Sequence, residues 1–282
     1  MIYANFKIQQ QRLDGGCGGR IQLTSGSGAD KSASSLLALS EGALFTTPTE
    51  QTNFLQFNTC PGTTSVTDIT PSSGGSMVFV AGGPTVQTNV SYPNDANLRI
   101  GTQNFTIEWF QFYQDSDANA IVFSIGTFPT NNICVVYAGT RLYLFVQNTA
   151  YDVLSAVTKN IWQHVALVGN GSSIKVYVGG SLKLTVTVTY NLVATDILRI
   201  GNQTDASVPN GNYAGRITNF RWVVGTAIYN SDFSPPTAPL TAVTGTQLLL
   251  LASNESNVVK DSSGAGRTAT NTGVNFSSSS PF

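Results

Sequence analysis

The residues of this chain that could do chemistry are few, and the carboxylates come first. Hydrolysis of a glycosidic bond generally uses two of them, held about 5–10 Å apart. On a β-strand such a pair consists of acids two or four residues apart, because side chains alternate between the two faces. The four glutamates are Glu41, Glu50, Glu108 and Glu255, and only Glu108 falls inside a segment with strong strand character. The sequence therefore predicts no glycan-hydrolysing pair.

Nucleophilic catalysis would have to use His164, the one histidine of the sequence. In a Ser-His-Asp or Cys-His mechanism the imidazole acts as general base for a neighbouring nucleophile. His164 instead lies in the apolar, strand-like segment 162–166. The sequence also contains no Gly-x-Ser-x-Gly elbow, phosphate-binding glycine loop or dinucleotide-binding fingerprint. We predict a structural histidine, and a protein that is not an enzyme.

Oxygen ligands suited to calcium occur between two predicted strands, at Asp115, Asp117 and Asn119. Alternate positions give the spacing with which a loop can wrap this ion. The rest of the EF-hand pattern is missing, because Ala120 stands at the sixth position and Gly126 at the twelfth. A plain polar hairpin loop is the preferred interpretation and calcium is the alternative. No other cofactor is predicted.

Sugar binding would need an aromatic platform beside amide and carboxylate groups. Residues in predicted loops supply both: Tyr92, Tyr151, Asn202, Asp205, Asn210, Asn212 and Tyr213. Polar residues of these types are abundant throughout the sequence, so an ordinary loop surface remains the alternative interpretation.

Composition excludes several classes of partner. Charged residues make up 10% of the chain and the net charge is −1, so no basic field exists to attract nucleic acid. A net charge near zero also removes repulsion between copies, which favours a homo-oligomer. The longest aliphatic run, Leu248–Ala252, is far shorter than the ~20 residues of a membrane helix, so we predict no membrane insertion.

The cysteines, Cys17, Cys60 and Cys134, are odd in number and widely spaced. This excludes a disulfide framework and a close-spaced zinc motif. Three free thiols are the preferred interpretation, and a Cys17–Cys60 bridge is the alternative.

Residues 1–75 differ from the rest of the chain because glycine-rich clusters divide them into pieces too short for a core. We predict an irregular N-terminal arm, with a short helix at 32–44 and a strand at 53–57. Segments of this kind usually become ordered on a partner surface.

Residues 76–282 carry short segments of alternating hydrophobicity, separated by Gly, Asn, Asp and Ser clusters. The clearest is 182–190, and Gly179-Gly180 predicts a tight turn that joins it to 174–178. The other predicted strands cover 76–80, 105–112, 121–125, 133–137, 141–147, 162–168, 197–200, 217–224 and 247–251. The pattern predicts an all-β fold, an antiparallel two-sheet jelly-roll sandwich.

Within that region, segments in a fixed order resemble the laminin-G-like and pentraxin-like group of concanavalin A-like domains. They are 76–80, 104–110, 162–166, 174–180, 198–201 and 215–221. The closing segments resemble those of structural proteins of bacteriophages and large viruses: 226–229, 233–236, 248–251, 261–264 and the terminal Ser-Pro-Phe.

The resemblance implies a non-enzymatic virion structural protein, as a capsid-associated, decoration, or tail or fibre component. We expect the 1–75 arm to contact other capsid subunits, and the sandwich to bind cell-surface glycans in host attachment. The alternatives are a secreted, extracellular lectin or adhesin and, third, a glucan-active hydrolase, since the superfamily contains glucanases. Family calcium sites lie on rim loops, which makes Asp205 with Asn202 and Asn210 a second calcium candidate.

Overall fold

A computed structural model describes most of the chain beyond residue 73. The described ranges are 74–80, 88–114, 120–125, 133–147, 149–153, 157–193, 197–202 and 211–282, with the backbone alone of 6–12, 19–25 and 53–57. The chain divides into two compact units, Met1–Pro71 and Ser72–Phe282. Within these ranges no helix has the length and apolar character that crossing a bilayer requires.

The first unit contains a three-stranded antiparallel sheet in the order β1-β2-β3. Its strands are β1 (Phe6–Arg12), β2 (Gly19–Ser25) and β3 (Asn53–Phe57). The strand β3 is predicted by the sequence, whereas β1 and β2 are not, because glycine clusters beside them indicate irregular chain. The helix predicted at 32–44 lies outside the described residues.

The second unit is built on two antiparallel sheets. The seven-stranded sheet has the order β10-β9-β8-β7-β14-β5-β17. Its strands are β5 (Asn89–Tyr92), β7 (Ala120–Ile125), β8 (Ile133–Ala138), β9 (Arg141–Val146), β10 (Thr149–Val153), β14 (Leu198–Ile200) and β17 (Thr270–Thr272).

The eight-stranded sheet has the order β13-β12-β11-β6-β15-β4-β18, and β16 pairs with the second half of β15. Its strands are β4 (Ser76–Phe79), β6 (Phe105–Tyr113), β11 (Trp162–Gly169), β12 (Ser173–Val178), β13 (Ser181–Thr187), β15 (Gly215–Val224), β16 (Thr246–Leu250) and β18 (Asn275–Ser277). Single-turn 3-10 helices lie at Ala96–Leu98 and Glu255–Asn257.

One hydrophobic core lies between the two sheets. Trp109 of β6 sends its ring across the sandwich to Phe123 of β7, with ring centroids 5.7 Å apart, and it stacks on Phe220 of β15 at 6.2 Å. All three side chains are fully buried, which removes a large apolar area from water. The predicted two-sheet antiparallel sandwich is confirmed.

The predicted hairpin at Gly179-Gly180 is also confirmed. These glycines adopt φ values of +59° and +77°, a conformation that costs other residues energy, and β12 pairs with β13. The prediction that one face of the segment 182–190 is buried is only partly correct. Leu182 is 42% exposed while Val186 is buried, because a register shift after Val176 pairs Leu182 with Tyr177, whose side chain lies on the outer face.

Candidate functional site

The acid singled out by the sequence lies on the outer face of the eight-stranded sheet. In β6 the odd-numbered residues Phe105, Ile107 and Trp109 point into the core, so Glu108 points away from it. The register of the sheet places Arg221 of β15 directly beside Glu108. On the other side the neighbour is Ala166 of β11, whose small side chain leaves room over the carboxylate.

Arg221 reaches this face through a register irregularity. Arg216 also points outward, and strict alternation over the odd spacing of five residues would turn Arg221 into the core. The register of β15 against β6 shifts between Thr218 and Arg221, and Asn219 there adopts a φ of +53°. The Asn219 side chain fixes this bulge, since its Oδ1 accepts a hydrogen bond from the Leu240 N–H at 2.6 Å.

Both oxygens of Glu108 are fully engaged. Oε1 accepts hydrogen bonds from Nε of Arg221, at 2.9 Å, and from its Nη2. Oε2 accepts from the Tyr229 hydroxyl at 2.8 Å and lies within hydrogen-bonding distance of Nε2 of His164, at 2.9 Å. The side chains of Glu108 and His164 are 0% exposed and that of Arg221 is 6% exposed. We call these four residues the ionic cluster.

Residues 226–241, which we call the covering segment, close the ionic cluster from water. The rings of Tyr229 and Phe233 stack at 3.7 Å, and Phe233 meets the His164 ring edge-on at 5.6 Å. The Phe233 N–H donates to the Gly180 carbonyl at 2.9 Å, and Arg221 Nη1 donates to the Thr241 carbonyl at 2.7 Å. The segment is therefore bound at its middle and at its C-terminal end to the sheet that it covers.

The electrostatics of the cluster oppose acid catalysis. Burial by itself would raise the pKa of Glu108, but the His164 hydrogen bond and the Arg221 charge outweigh it and hold that pKa below its ordinary value. Burial and the nearby Glu108 charge raise the pKa of the Tyr229 hydroxyl. A general acid needs a pKa near the working pH and access to substrate. Glu108 has neither such a pKa nor access to substrate, so we assign the ionic cluster a structural role.

A second strand acid, Asp152, was missed because β10 was not predicted. It forms a salt bridge with Arg141 at 3.0 Å, with side chains 32% and 49% exposed, and it belongs to the seven-stranded sheet. The prediction that Glu108 is the lone strand acid is therefore wrong. The two acids lie on different sheets, one half-buried and one fully buried, and do not form a hydrolytic pair.

The predicted aromatic platform is wrong for two of its three rings. Tyr92 and Tyr213 are both 0% exposed. Tyr92 lies in β5, where its hydroxyl donates to the Val259 carbonyl at 2.9 Å, and the Tyr213 ring packs against Phe79 at 5.9 Å. A tyrosine can be buried whole when its hydroxyl finds a partner, which sequence position does not reveal.

The amides of the predicted sugar site are also directed inward. Asn202 is 5% exposed and Asn212 is 1% exposed, and Nδ2 of Asn202 donates to Oδ1 of Asn212 at 3.1 Å. Tyr151 is half-buried on the edge strand β10 and packs partly against the core. Asp205 and Asn210 lie outside the described residues. The described members thus build structure and offer no joint sugar-binding surface.

The calcium loop Asp115, Asp117 and Asn119 lies outside the described residues as well. Within the part of the chain that the structure describes, no three metal-ligating side chains come together. Cys134 is a free thiol whose pKa burial raises, which makes it unreactive. Cys17 and Cys60 are not among the described residues.

Sequence reasoning missed one surface arrangement, which we call the open row: Trp162, Phe112 and Arg216. The register places Trp162 beside Phe112 and Phe112 beside Arg216, on the outer face of the eight-stranded sheet. The two rings lie 5.7 Å apart, and Cζ of Arg216 lies 5.0 Å from the centre of the Phe112 ring. Both faces of β6 and β11 are rich in apolar residues. The alternation of hydrophobicity along these strands therefore does not show which face points into the core.

Comparisons with known structures agree with this architecture. The chain is similar to a candidate carbohydrate-binding protein from Bacteroides ovatus, with a TM-score of 0.59 and 14% identity, over 93% of this chain and 68% of that one. It is also similar to a heptameric SAP-like pentraxin from Limulus polyphemus, with a TM-score of 0.52 and 14% identity, over 74% and 97% of the two chains. At such identities the likeness shows the fold alone.

A search of curated proteins finds no match. The sequence pattern of a laminin-G family, described as the concanavalin A-like lectin/glucanases superfamily, matches residues 83–227, about half of the chain. With the two-sheet sandwich, this match shows that the chain belongs to the concanavalin A-like lectin/glucanases superfamily.

Proposed function

We propose that this chain is a non-enzymatic binding protein that uses its lectin-like sandwich to recognise carbohydrate, as a structural subunit of a virion. The observation that carries the proposal is the state of Glu108. The superfamily joins lectins with glucanases, and the acid best placed for hydrolysis is buried in an ionic cluster with both oxygens occupied. This arrangement favours the lectin branch over the glucanase branch.

The virion setting rests on the sequence resemblance of the closing segments to structural proteins of phages and large viruses. The net charge of −1 supports it, because weak repulsion lets many copies assemble. The first unit, Met1–Pro71, is the part that we assign to contacts with neighbouring subunits. A secreted, extracellular lectin or adhesin would share the binding function without those contacts.

The binding function is tested with the full chain on a glycan array and in an oligosaccharide hydrolysis assay. We expect glycan binding and no turnover, both in the native protein and in Glu108→Gln. Turnover by the native protein that disappears in Glu108→Gln would overturn the proposal in favour of a hydrolase. An array without any bound glycan would remove the carbohydrate part.

The assembly role is tested by light scattering of the full chain and of residues 72–282. We expect the full chain to associate and the shorter chain to remain a folded monomer, since the sandwich has its own core. Equal masses for the two chains would contradict the role of the first unit and would favour the free-standing lectin.

A further inference from the structure

We infer that the open row binds a sugar acid, with its two rings against the sugar and Arg216 on the carboxylate. This inference rests on the carbohydrate binding proposed above and gives it a place and a ligand class. The place is the outer face of the eight-stranded sheet, where none of the described members of the predicted sugar site lies.

The geometry of the row supplies a platform. Trp162, Phe112 and Arg216 occupy neighbouring positions on the adjacent strands β11, β6 and β15, so their side chains leave the sheet in one line. All three are half-buried, which fixes each side chain while leaving part of it at the surface. The C–H groups on one face of a pyranose ring are apolar and pack well on exposed aromatic rings.

Arg216 has hydrogen-bonding capacity to spare. Within the described part of the chain its guanidinium makes no hydrogen bond or ion pair, and its side chain rests on the Phe112 ring at 5.0 Å. Its Nε is buried without an acceptor. The guanidinium of a half-buried arginine without an ion-pair partner can gain a charged hydrogen bond from a ligand at the surface.

Charge and shape select the ligand class. A guanidinium presents parallel N–H donors in a planar fork that fits a carboxylate with two hydrogen bonds. A neutral sugar would leave the charge uncompensated, so we assign a sugar that carries a carboxylate, such as a sialic or uronic acid.

The size of the surface favours a glycan over a protein. Ile161, next to Trp162 in the chain, and Val80, two residues beyond the β4 neighbour of Arg216, are each 47% exposed. The open row is thus three half-buried side chains with one exposed apolar residue near each end. A stable protein interface needs about 800 Å² on each partner, far more than three side chains and their neighbours provide.

The test is titration calorimetry of the full chain with two matched ligand pairs: sialyllactose with its methyl ester, and trigalacturonate with its methyl ester. Each pair differs by the carboxylate charge. We expect at least one of the acids to bind, and its neutral partner to bind roughly tenfold more weakly, because a charged hydrogen-bonded contact is lost.

Variants locate the site. Arg216→Gln and Trp162→Ala should each weaken binding of the acid roughly tenfold. Arg141→Gln is the matched control, since Arg141 is an exposed arginine on the other sheet, and it should leave binding unchanged. Circular dichroism checks that each variant is folded, and Trp162→Phe, which keeps a ring, should retain more binding than Trp162→Ala.

The outcomes separate this inference from the proposed function. Glycan binding that survives both Arg216→Gln and Trp162→Ala would overturn the site while the lectin function stands. Binding of only the neutral members would overturn the ligand class. Failure of these acids and of every glycan on the array to bind would overturn both the inference and the proposed carbohydrate recognition.

Discussion

Two rows of residues on the strands β6, β11 and β15 differ in whether another segment covers them. In the covered row Glu108, Ala166 and Arg221 lie beneath residues 226–241, and the acid and the arginine are buried as a hydrogen-bonded pair. The open row consists of Phe112, Trp162 and Arg216, and its β6 member lies four residues beyond Glu108. These three side chains are half-buried and have no cover of this kind. Both arginines belong to β15. The covering segment therefore decides which of them is structural and which is available to a ligand.

The largest expected contrast comes from removing each arginine. Arg221→Ala leaves the Glu108 charge buried without its main counter-charge, so we expect the unfolding free energy to fall by about 3–5 kcal/mol. Arg216→Ala should lower it by about 1 kcal/mol or less, because only the contact with the Phe112 ring is lost and no buried charge is left without its partner. Urea denaturation of both variants measures the difference, and equal losses would contradict the division into two rows.

The next contrast tests how the cover is attached. A Cβ on Gly180 would lie 1.9 Å from the Phe233 carbonyl oxygen, whereas one on Gly179 would meet nothing within 4 Å. Both glycines have positive φ, so alanine strains each by about 1–2 kcal/mol. Gly180→Ala should lose more, and hydrogen exchange should show faster exchange of the Phe233 amide in this variant only. Equal effects of the two substitutions would mean that the cover is held elsewhere.

Acid should weaken the covered row and spare the open one. Because the folded-state pKa of Glu108 is below its ordinary value of 4.5, the stability it contributes is present above that value and is lost as the pH falls through the lower folded-state pKa. Comparing urea midpoints at about pH 7 and about pH 3, we expect a smaller fall in Glu108→Gln than in the native protein. Other acids contribute to both proteins alike, so an identical fall would contradict the lowered pKa.

The smallest contrast concerns two buried or half-buried tyrosines on this face. Tyr229→Phe removes a hydrogen bond to a buried carboxylate and should cost about 1–2 kcal/mol. Tyr177→Phe is the matched control, because the Tyr177 hydroxyl is buried without a hydrogen-bond partner among the described residues. Its removal should leave stability unchanged or slightly raised, and a loss equal to that of Tyr229→Phe would show that Tyr177 has a partner.

Prediction from the sequence succeeded for the strands of the sandwich and failed for its surfaces. Period-two alternation and the glycine pair at 179–180 located most strands and one hairpin, since these signals act over a few neighbouring residues. The sugar site failed because Tyr92 and Tyr213 were judged by their place in predicted loops, while both are fully buried. The expected roles of Asp205, Asn210 and the calcium loop remain predictions.

The sequence by itself determined the fold class, the near-zero net charge, and the lone histidine that any base mechanism would have had to use. Only the tertiary structure decided which polar residues are free to bind a ligand. Arg216 and Arg221 are five residues apart on one strand, and a bulge at Asn219 turns both outward. A segment that follows in the chain then covers one and leaves the other, because burial depends on contacts between distant residues, which spacing along the chain does not encode.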